Sequence, residues 1–301
     1  MAVRDQGYLQ AVEVLPGVLR KLAVDAETEL RCEAEEIRLR VGQPVSIVLP
    51  CGERRVGNEV VTPGHLEQVL QIASRASVHS VLEQLKEGFL TVSGGHRIGL
   101  CGTVMVDGER VKGFRELSSA SIRIARQFPG IAHPVMPSLM ENGFLQSTLI
   151  AAPPGGGKTS FLRDLIRCIS EGEGGNPLRV GVTDERGELG AMYRGNPVFD
   201  LGPRTDVLYG CPKDQGMMML LRGMNPQVLA VDEVTAPKDV GAITTAAGCG
   251  VVLLASVHAN GAEDLKRRPL YRMLLEEHVF TRLVTIQGRG RDRVYTTEVL
   301  R

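Results

Sequence analysis

With 301 residues the chain has room for two domains of ordinary size or one large one, and 43% hydrophobic content supports a true core. Thirty-five Lys and Arg balance 35 Asp and Glu, so no global field recruits nucleic acid or an anionic membrane. The six cysteines form no C-x-x-C pair, which points to reduced thiols in a cytosolic protein and away from a disulfide framework or a zinc knuckle.

The first residues, M-A-V-R-D-Q-G-Y, lack the basic stretch and apolar run of a secretory leader. No window approaches the roughly 18 consecutive apolar residues of a membrane span. A cytoplasmic protein is therefore expected, with any membrane role coming through partners.

Between residues 8 and 24, Leu9, Val12, Leu15, Val18 and Leu22 fall at helical spacing around a break at Pro16-Gly17, predicting one or two short helices. From Glu36 the period becomes two. Ile37, Leu39 and Val41 alternate with Arg38 and Arg40, Gly42-Gln43-Pro44 turns, and Val45, Ile47 and Leu49 resume, which reads as a hairpin. Thr62-Pro63 opens a helix through Leu66, Val69, Leu70 and Ile72, and a second helical pattern covers 77–86. Strands return at 89–92, 97–106 and 111–114, with a last piece at 121–126. Residues 1–127 are thus expected to form a smaller α+β domain on an antiparallel sheet. The run Q-F-P-G-I-A-H-P from 127 breaks both periods, and 128–136 is expected to be a linker short enough to act as a hinge.

From 137 to 301 the pattern is regular. Strands at 148–151, 178–183, 228–231 and 251–256 alternate with helices after Lys158, at 214–222 and at 237–247, and two last strands at 280–286 and 294–300 read as a closing hairpin. Such alternation predicts an α/β domain with right-handed crossovers and a mostly parallel sheet covered on both faces. Ligands in such sheets bind at the carboxyl ends of the strands.

The first strand of this domain runs into P-P-G-G-G-K-T-S. A glycine-rich turn between a strand and a helix N-terminus aims several backbone N–H groups at one spot, where the helix dipole also favours negative charge. Pro154, Gly155, Gly156, Gly157, Lys158, Thr159 and Ser160 are therefore expected to cradle the phosphates of ATP, with Lys158 reaching the β/γ-phosphates and Thr159 ligating Mg²⁺, as in a Walker A loop. The pattern G-x-x-x-x-G-K-[ST] asks for glycine where Ala152 stands. Because Ala152 precedes Pro153 it is already pushed toward extended backbone, which alanine adopts without strain.

V-L-A-V-D-E, 228–233, suits a Walker B strand. Asp232 would hold Mg²⁺, and Glu233 would orient or deprotonate the attacking water. At another strand end, T-D-E-R (183–186) brings Asp184 and Glu185 toward the same crevice, where Glu185 could place water or Mg²⁺ or simply solvate the junction. His258 follows the strand at 251–256 and either donates to the γ-phosphate or is a solvated loop histidine. If the site lies between subunits, an arginine from a second copy would neutralise charge developing on the γ-phosphoryl group. Arg97, Arg123, Arg126, Arg204 and Arg222 are the candidates.

Taken with E-I-R-L-R-V-G-Q-P (36–44), E-G-F-L-T-V-S-G-G-H-R-I-G (87–99), S-I-R-I-A-R (121–126), T-D-E-R-G-E-L (183–189), R-T-D-V-L-Y-G-C-P-K (204–213) and V-D-E-V (231–234), these motifs make nearly the whole chain resemble the stage III sporulation protein AA family, ATPases related to the motors of type II and type IV secretion. The resemblance implies a RecA-like P-loop NTPase core after the N-terminal domain and a homo-oligomer, a hexameric ring with nucleotide between the domains. It also implies Mg²⁺-dependent ATP hydrolysis that energises a mother cell to forespore channel during endospore formation, at the membrane through channel proteins embedded there. On it, Asp184-Glu185 matches the acidic box, Asp232-Glu233 the Walker B pair and His258 the histidine box. The chain departs from it at Ala152 and at S-V-H-A (256–259), where relatives read T-A-H-G. A nucleotide-gated scaffold with little hydrolysis and a nucleic-acid-associated P-loop protein are the alternatives. Neutral charge and the scarcity of aromatics, seven Phe, five Tyr and no Trp, disfavour the latter, so no nucleic acid is expected as a partner.

Overall fold

A computed structural model describes residues 5–74, 84–108, 110–193, 195–288 and 290–300. The chain divides into two compact units, Met1–Arg126 and Gln127–Arg301. The helix expected over 77–86 lies largely outside the described residues. Among them, no helix is long and apolar enough to cross a membrane.

In the first unit, short helices α1 (Gln6–Ala11), α2 (Gly17–Val24) and α3 (Thr28–Glu33) precede strands β1 (Glu36–Arg40), β2 (Pro44–Leu49) and β3 (Gly52–Val60). Helix α4 (Pro63–Ser74) and strands β4 (Phe89–Thr91), β5 (Arg97–Asp107) and β6 (Arg110–Arg123) follow. The sheet runs β3-β2-β1-β6-β5-β4 and every described pairing in it is antiparallel. The period-two residues Ile37, Leu39, Val45 and Ile47 are fully buried, against Tyr8, Leu19, Leu66 and Ile122. Two expectations change. The pieces at 111–114 and 121–126 belong largely to one strand, β6, whose pairing with β5 shifts register at Cys101/Gly102 and twice beyond. Gly102 is obligatory there, since a Cβ on it would lie 1.9 Å from the Glu116 carbonyl oxygen. Strand β3 was not expected, because its sequence G-E-R-R-V-G-N-E-V buries only Val56.

His96 is fully buried in this unit. Its Nδ1 accepts the Ala125 N–H at 3.0 Å, which puts the ring proton on Nε2, an atom with no hydrogen-bond partner among the described residues. Burial pushes the imidazole down from 6.5 to about 4, so the folded chain holds the neutral ring while the unfolded chain protonates near the ordinary value. The depressed value means that this contribution is complete above pH 6.5 and is lost as pH falls toward 4, a loss of about 3 kcal/mol. Urea unfolding is expected to show that acid loss, and His96→Asn is expected to flatten it; an unchanged slope in the variant would remove His96 as its source.

In the second unit, a small hairpin of β7 (Met140–Glu141) and β8 (Phe144–Leu145) leads to β9 (Thr148–Ala152) and helix α5 (Lys158–Glu171). Then come β10 (Val180–Asp184), β11 (Thr205–Tyr209), α6 (Lys213–Gly223), β12 (Val228–Val231), α7 (Pro237–Gly248) and β13 (Val252–His258). Helices α8 (Ala262–Arg267) and α9 (Pro269–Glu276) and strands β14 (Arg282–Gln287) and β15 (Val294–Val299) complete it. The sheet order is β11-β10-β12-β13-β9-β14-β15, parallel except for the terminal β14–β15 hairpin.

Strand β9 is buried along its whole length, and its side chains alternate between two cores. Ile150 and Ala152 pack with Phe161, Leu162, Leu165 and Ile166 of α5. Leu149 and Ala151 share a second core with residues of α6, α7 and α9. Burial on both faces is why β9, β12 and β13 read as continuous apolar runs.

The stretch 128–136, expected as a linker, belongs to the second unit and buries Ala132, Val135 and Met136. Asp164, in the second turn of α5 and 1% exposed, accepts the Gly130 N–H at 3.0 Å and the Ala132 N–H at 2.8 Å. Arg167, one turn on, braces the same carboxylate at 2.9 Å.

Candidate functional site

Four parallel strands, β9, β10, β12 and β13, end on one edge of the sheet and deliver the predicted residues there. Between β9 and α5 the chain turns through Gly155 (φ 72°) and Gly157 (φ 97°), backbone that side chains other than glycine's disfavour. Gly156 donates its N–H to the Pro153 carbonyl at 2.9 Å. A Cβ on Gly156 would sit 2.7 Å from the Ala152 methyl and 2.8 Å from that carbonyl oxygen, so the turn closes with alanine at 152 because 156 has no side chain. Helix α5 starts at Lys158 without a side-chain cap, which leaves its first N–H groups free to meet an anion.

The side chains form two connected hydrogen-bonded sets. Thr159 Oγ1 donates to Asp232 Oδ2 at 2.9 Å, and Ser256 Oγ donates to Asp232 Oδ1 at 2.6 Å. The same Ser256 hydroxyl accepts the Glu233 N–H at 2.9 Å, holding Glu233 at φ 50°, a left-handed conformation that costs a non-glycine residue of order 1 kcal/mol or more. In the second set, Lys158 Nζ lies 2.8 Å from His258 Nδ1, and His258 Nε2 lies 3.0 Å from Glu233 Oε1. An ammonium can only donate, so His258 accepts at Nδ1 and carries its proton on Nε2 toward the Glu233 carboxylate. Burial pulls the Lys158 ammonium below its ordinary range, opposed by the negative field of Asp232 and Glu233.

The acidic pair at the end of β10 divides. Asp184 turns onto the following loop, accepting the N–H groups of Glu188 and Gly190 at 2.9 Å each. Burial, with a smaller push from Asp232, raises its carboxyl above the usual range despite those bonds. Arg163 of α5 holds the same loop through the carbonyls of Leu189 and Glu188 at 2.7 Å each and lies over the Phe199 ring, and burial lowers its guanidinium to about 10. Glu185 is paired with Lys213 of α6 at 2.6 Å and stands outside the two sets around Lys158 and Asp232. Lys213, Arg163 and Ser256 had no assigned role in the sequence.

Four of the five candidate arginines make contacts within their own unit. In the first unit Arg97 lies 3.7 Å over the Phe89 ring, Arg123 pairs with Glu36 at 3.2 Å, and Arg126 donates to the carbonyls of Cys32 and Arg31. In the second, Arg204 donates to the Ser170 carbonyl at 3.2 Å, and Arg222 is exposed in the last turn of α6. Within the second unit, neither Arg204 nor Arg222 belongs to the sets described above.

A glycine-rich turn between β9 and α5, with acids and a histidine at the ends of neighbouring parallel strands, defines a P-loop NTPase fold. The chain shares that fold with secretion and pilus ATPases. The ATPase DotB of Legionella pneumophila superposes with a TM-score of 0.60 over 91% of this chain and 78% of DotB, at 13% identity. The pilus retraction motor PilT, solved with bound ADP, gives 0.59 over 95% and 84%, at 15% identity.

At sequence level, the model of the family "Sporulation stage III, protein AA" matches residues 6–295. Stage III sporulation protein AA of Bacillus subtilis (strain 168) is 38% identical over 278 residues, 92% of this chain and 90% of that protein. The chain belongs to the stage III sporulation protein AA family.

Proposed function

We propose that this chain is a Mg²⁺-dependent ATPase, a motor of the secretion type that energises a channel between mother cell and forespore during endospore formation. The observation that carries the reading is the hydrogen-bonded convergence of Lys158, His258 and Glu233 with Thr159, Asp232 and Ser256 beside the glycine turn. Relatives named as an ATPase, a retraction motor with ADP and a sporulation protein support it.

The backbone from Gly155 to Ser160 cradles the phosphates and Lys158 contributes its charge. Thr159 Oγ1 and Asp232 Oδ2, 2.9 Å apart, are two hard oxygens at one point, a donor set that fits Mg²⁺. Thr159 and Asp232 would hold the ion, which would supply positive charge against that developing on the phosphoryl group. Arriving phosphate competes with His258 for the Lys158 ammonium. Glu233, held by Ser256 in its strained backbone, then orients the attacking water and takes its proton, while His258, neutral with its proton on Nε2, donates to the γ-phosphate. In this reading Glu185 acts from a second position tuned by Lys213. The motor is a cytoplasmic homo-oligomer, a hexameric ring joined to the membrane through channel proteins, and a partner copy supplies the finger arginine.

The test is steady-state phosphate release by the full chain with ATP and Mg²⁺, repeated with EDTA in excess. Turnover that vanishes on chelation is expected. ATP binding without turnover at any protein concentration would replace the motor with a nucleotide-gated scaffold.

A further inference from the structure

Strand β14 is parallel to β9, so the turn after β14 hangs from the same sheet edge as the glycine loop after β9. The last pair of the β14–β15 ladder is Gln287 with Val294, which places Arg293 at the mouth of that turn. Residues 293, 295 and 297 are half-buried and alternate with exposed 294 and 296, so Arg293 and Tyr295 share the inward face. The Tyr295 ring stacks on Phe161 of α5, centroids 5.1 Å apart, pinning the hairpin to the helix that the loop feeds. Two residues back, the Arg293 guanidinium lies against Gly157. A Cβ there would meet its Nε at 2.9 Å and its Cζ at 3.0 Å. Among the described residues, Arg293 Nε is buried with no hydrogen-bond partner and no carboxylate pairs with this side chain.

An arginine with an unmet buried donor is costly where nothing negative compensates it. This one rests on the backbone of a loop whose N–H groups and helix dipole already favour an anion. We propose that Arg293 is a phosphate-contacting cation supplied by the chain's own C-terminal hairpin, completing the nucleotide site on the side opposite the Lys158–His258–Glu233 set. The inference rests on the reading of the glycine loop as a phosphate loop. It differs from the finger expected from a second copy, because it needs one chain only and stabilises bound ADP as well as ATP.

The experiment measures ADP and ATP affinity of the full chain at two salt concentrations for wild type, Arg293→Gln and Arg293→Lys, substitutions of similar length whose folding is checked by thermal melting. Losing one charge-assisted hydrogen bond is expected to weaken both nucleotides roughly tenfold in Arg293→Gln, to reduce the salt dependence, and to be largely restored in Arg293→Lys. Affinity unchanged in Arg293→Gln, or Lys no better than Gln at equal salt dependence, would reduce Arg293 to packing and overturn the proposal. Wild-type protein that binds no nucleotide would instead remove the phosphate-loop reading, and this inference with it.

Discussion

Glu233→Gln is expected to bind ATP as wild type does and to release phosphate at least ~100-fold more slowly, the usual contribution of a positioned general base. Its carboxylate lies 3.0 Å from His258 Nε2, and its backbone N–H is fixed by Ser256. An amide there still accepts from His258 and leaves Lys158, Thr159 and Asp232 in place, so binding has no reason to change. Only the basic oxygen is lost. Equal loss of affinity and rate in the variant would mean that Glu233 builds the site instead of acting in it.

Lys158→Ala is expected to lose ATP affinity by roughly 10- to 100-fold, the span for a hydrogen bond to a charged group, together with measurable turnover. Stability should move the other way. Lys158 is 6% exposed and burial already lowers its affinity for a proton, so removing it relieves a partly desolvated charge while His258 keeps Glu233 as a partner. The nucleotide-free variant is expected to melt no lower than wild type. Lys158→Arg should not rescue, because a planar fork cannot replace a compact ammonium on a short buried path. Wild-type affinity in Lys158→Ala would sink the phosphate-loop reading.

What the sequence discloses follows from which faces are buried. Strands β9 and β12 are buried throughout, so L-I-A-A and V-L-A-V read as strands, and the polar residues just beyond them read as a site. Strand β11 runs along the sheet edge, its residues half-buried or exposed, and T-D-V-L-Y gives no clean alternation. The tandem helices α8 and α9, parted only by Arg268, have no counterpart in the sequence reading.

The role of Ser256 depends on tertiary register. Val231 pairs with Ala255 across the parallel strands, which sets the residues after them, Asp232 and Ser256, side by side. No local pattern encodes that. Asp184 shows the converse. Its place beyond an apolar strand matches Asp232, yet a loop that supplies N–H groups at 188 and 190 turns its carboxylate away from the cluster.

Asp164 has a mechanical consequence. Helix α5 has the glycine loop at one end, and by its second turn a carboxylate grips two consecutive-but-one peptide N–H groups at 130 and 132. The bond to Ala132 is buried and the one to Gly130 part-buried, so they tie the incoming chain to the helix. On the proposed reading, a tilt of α5 on phosphate binding would carry residues 130–132 with it.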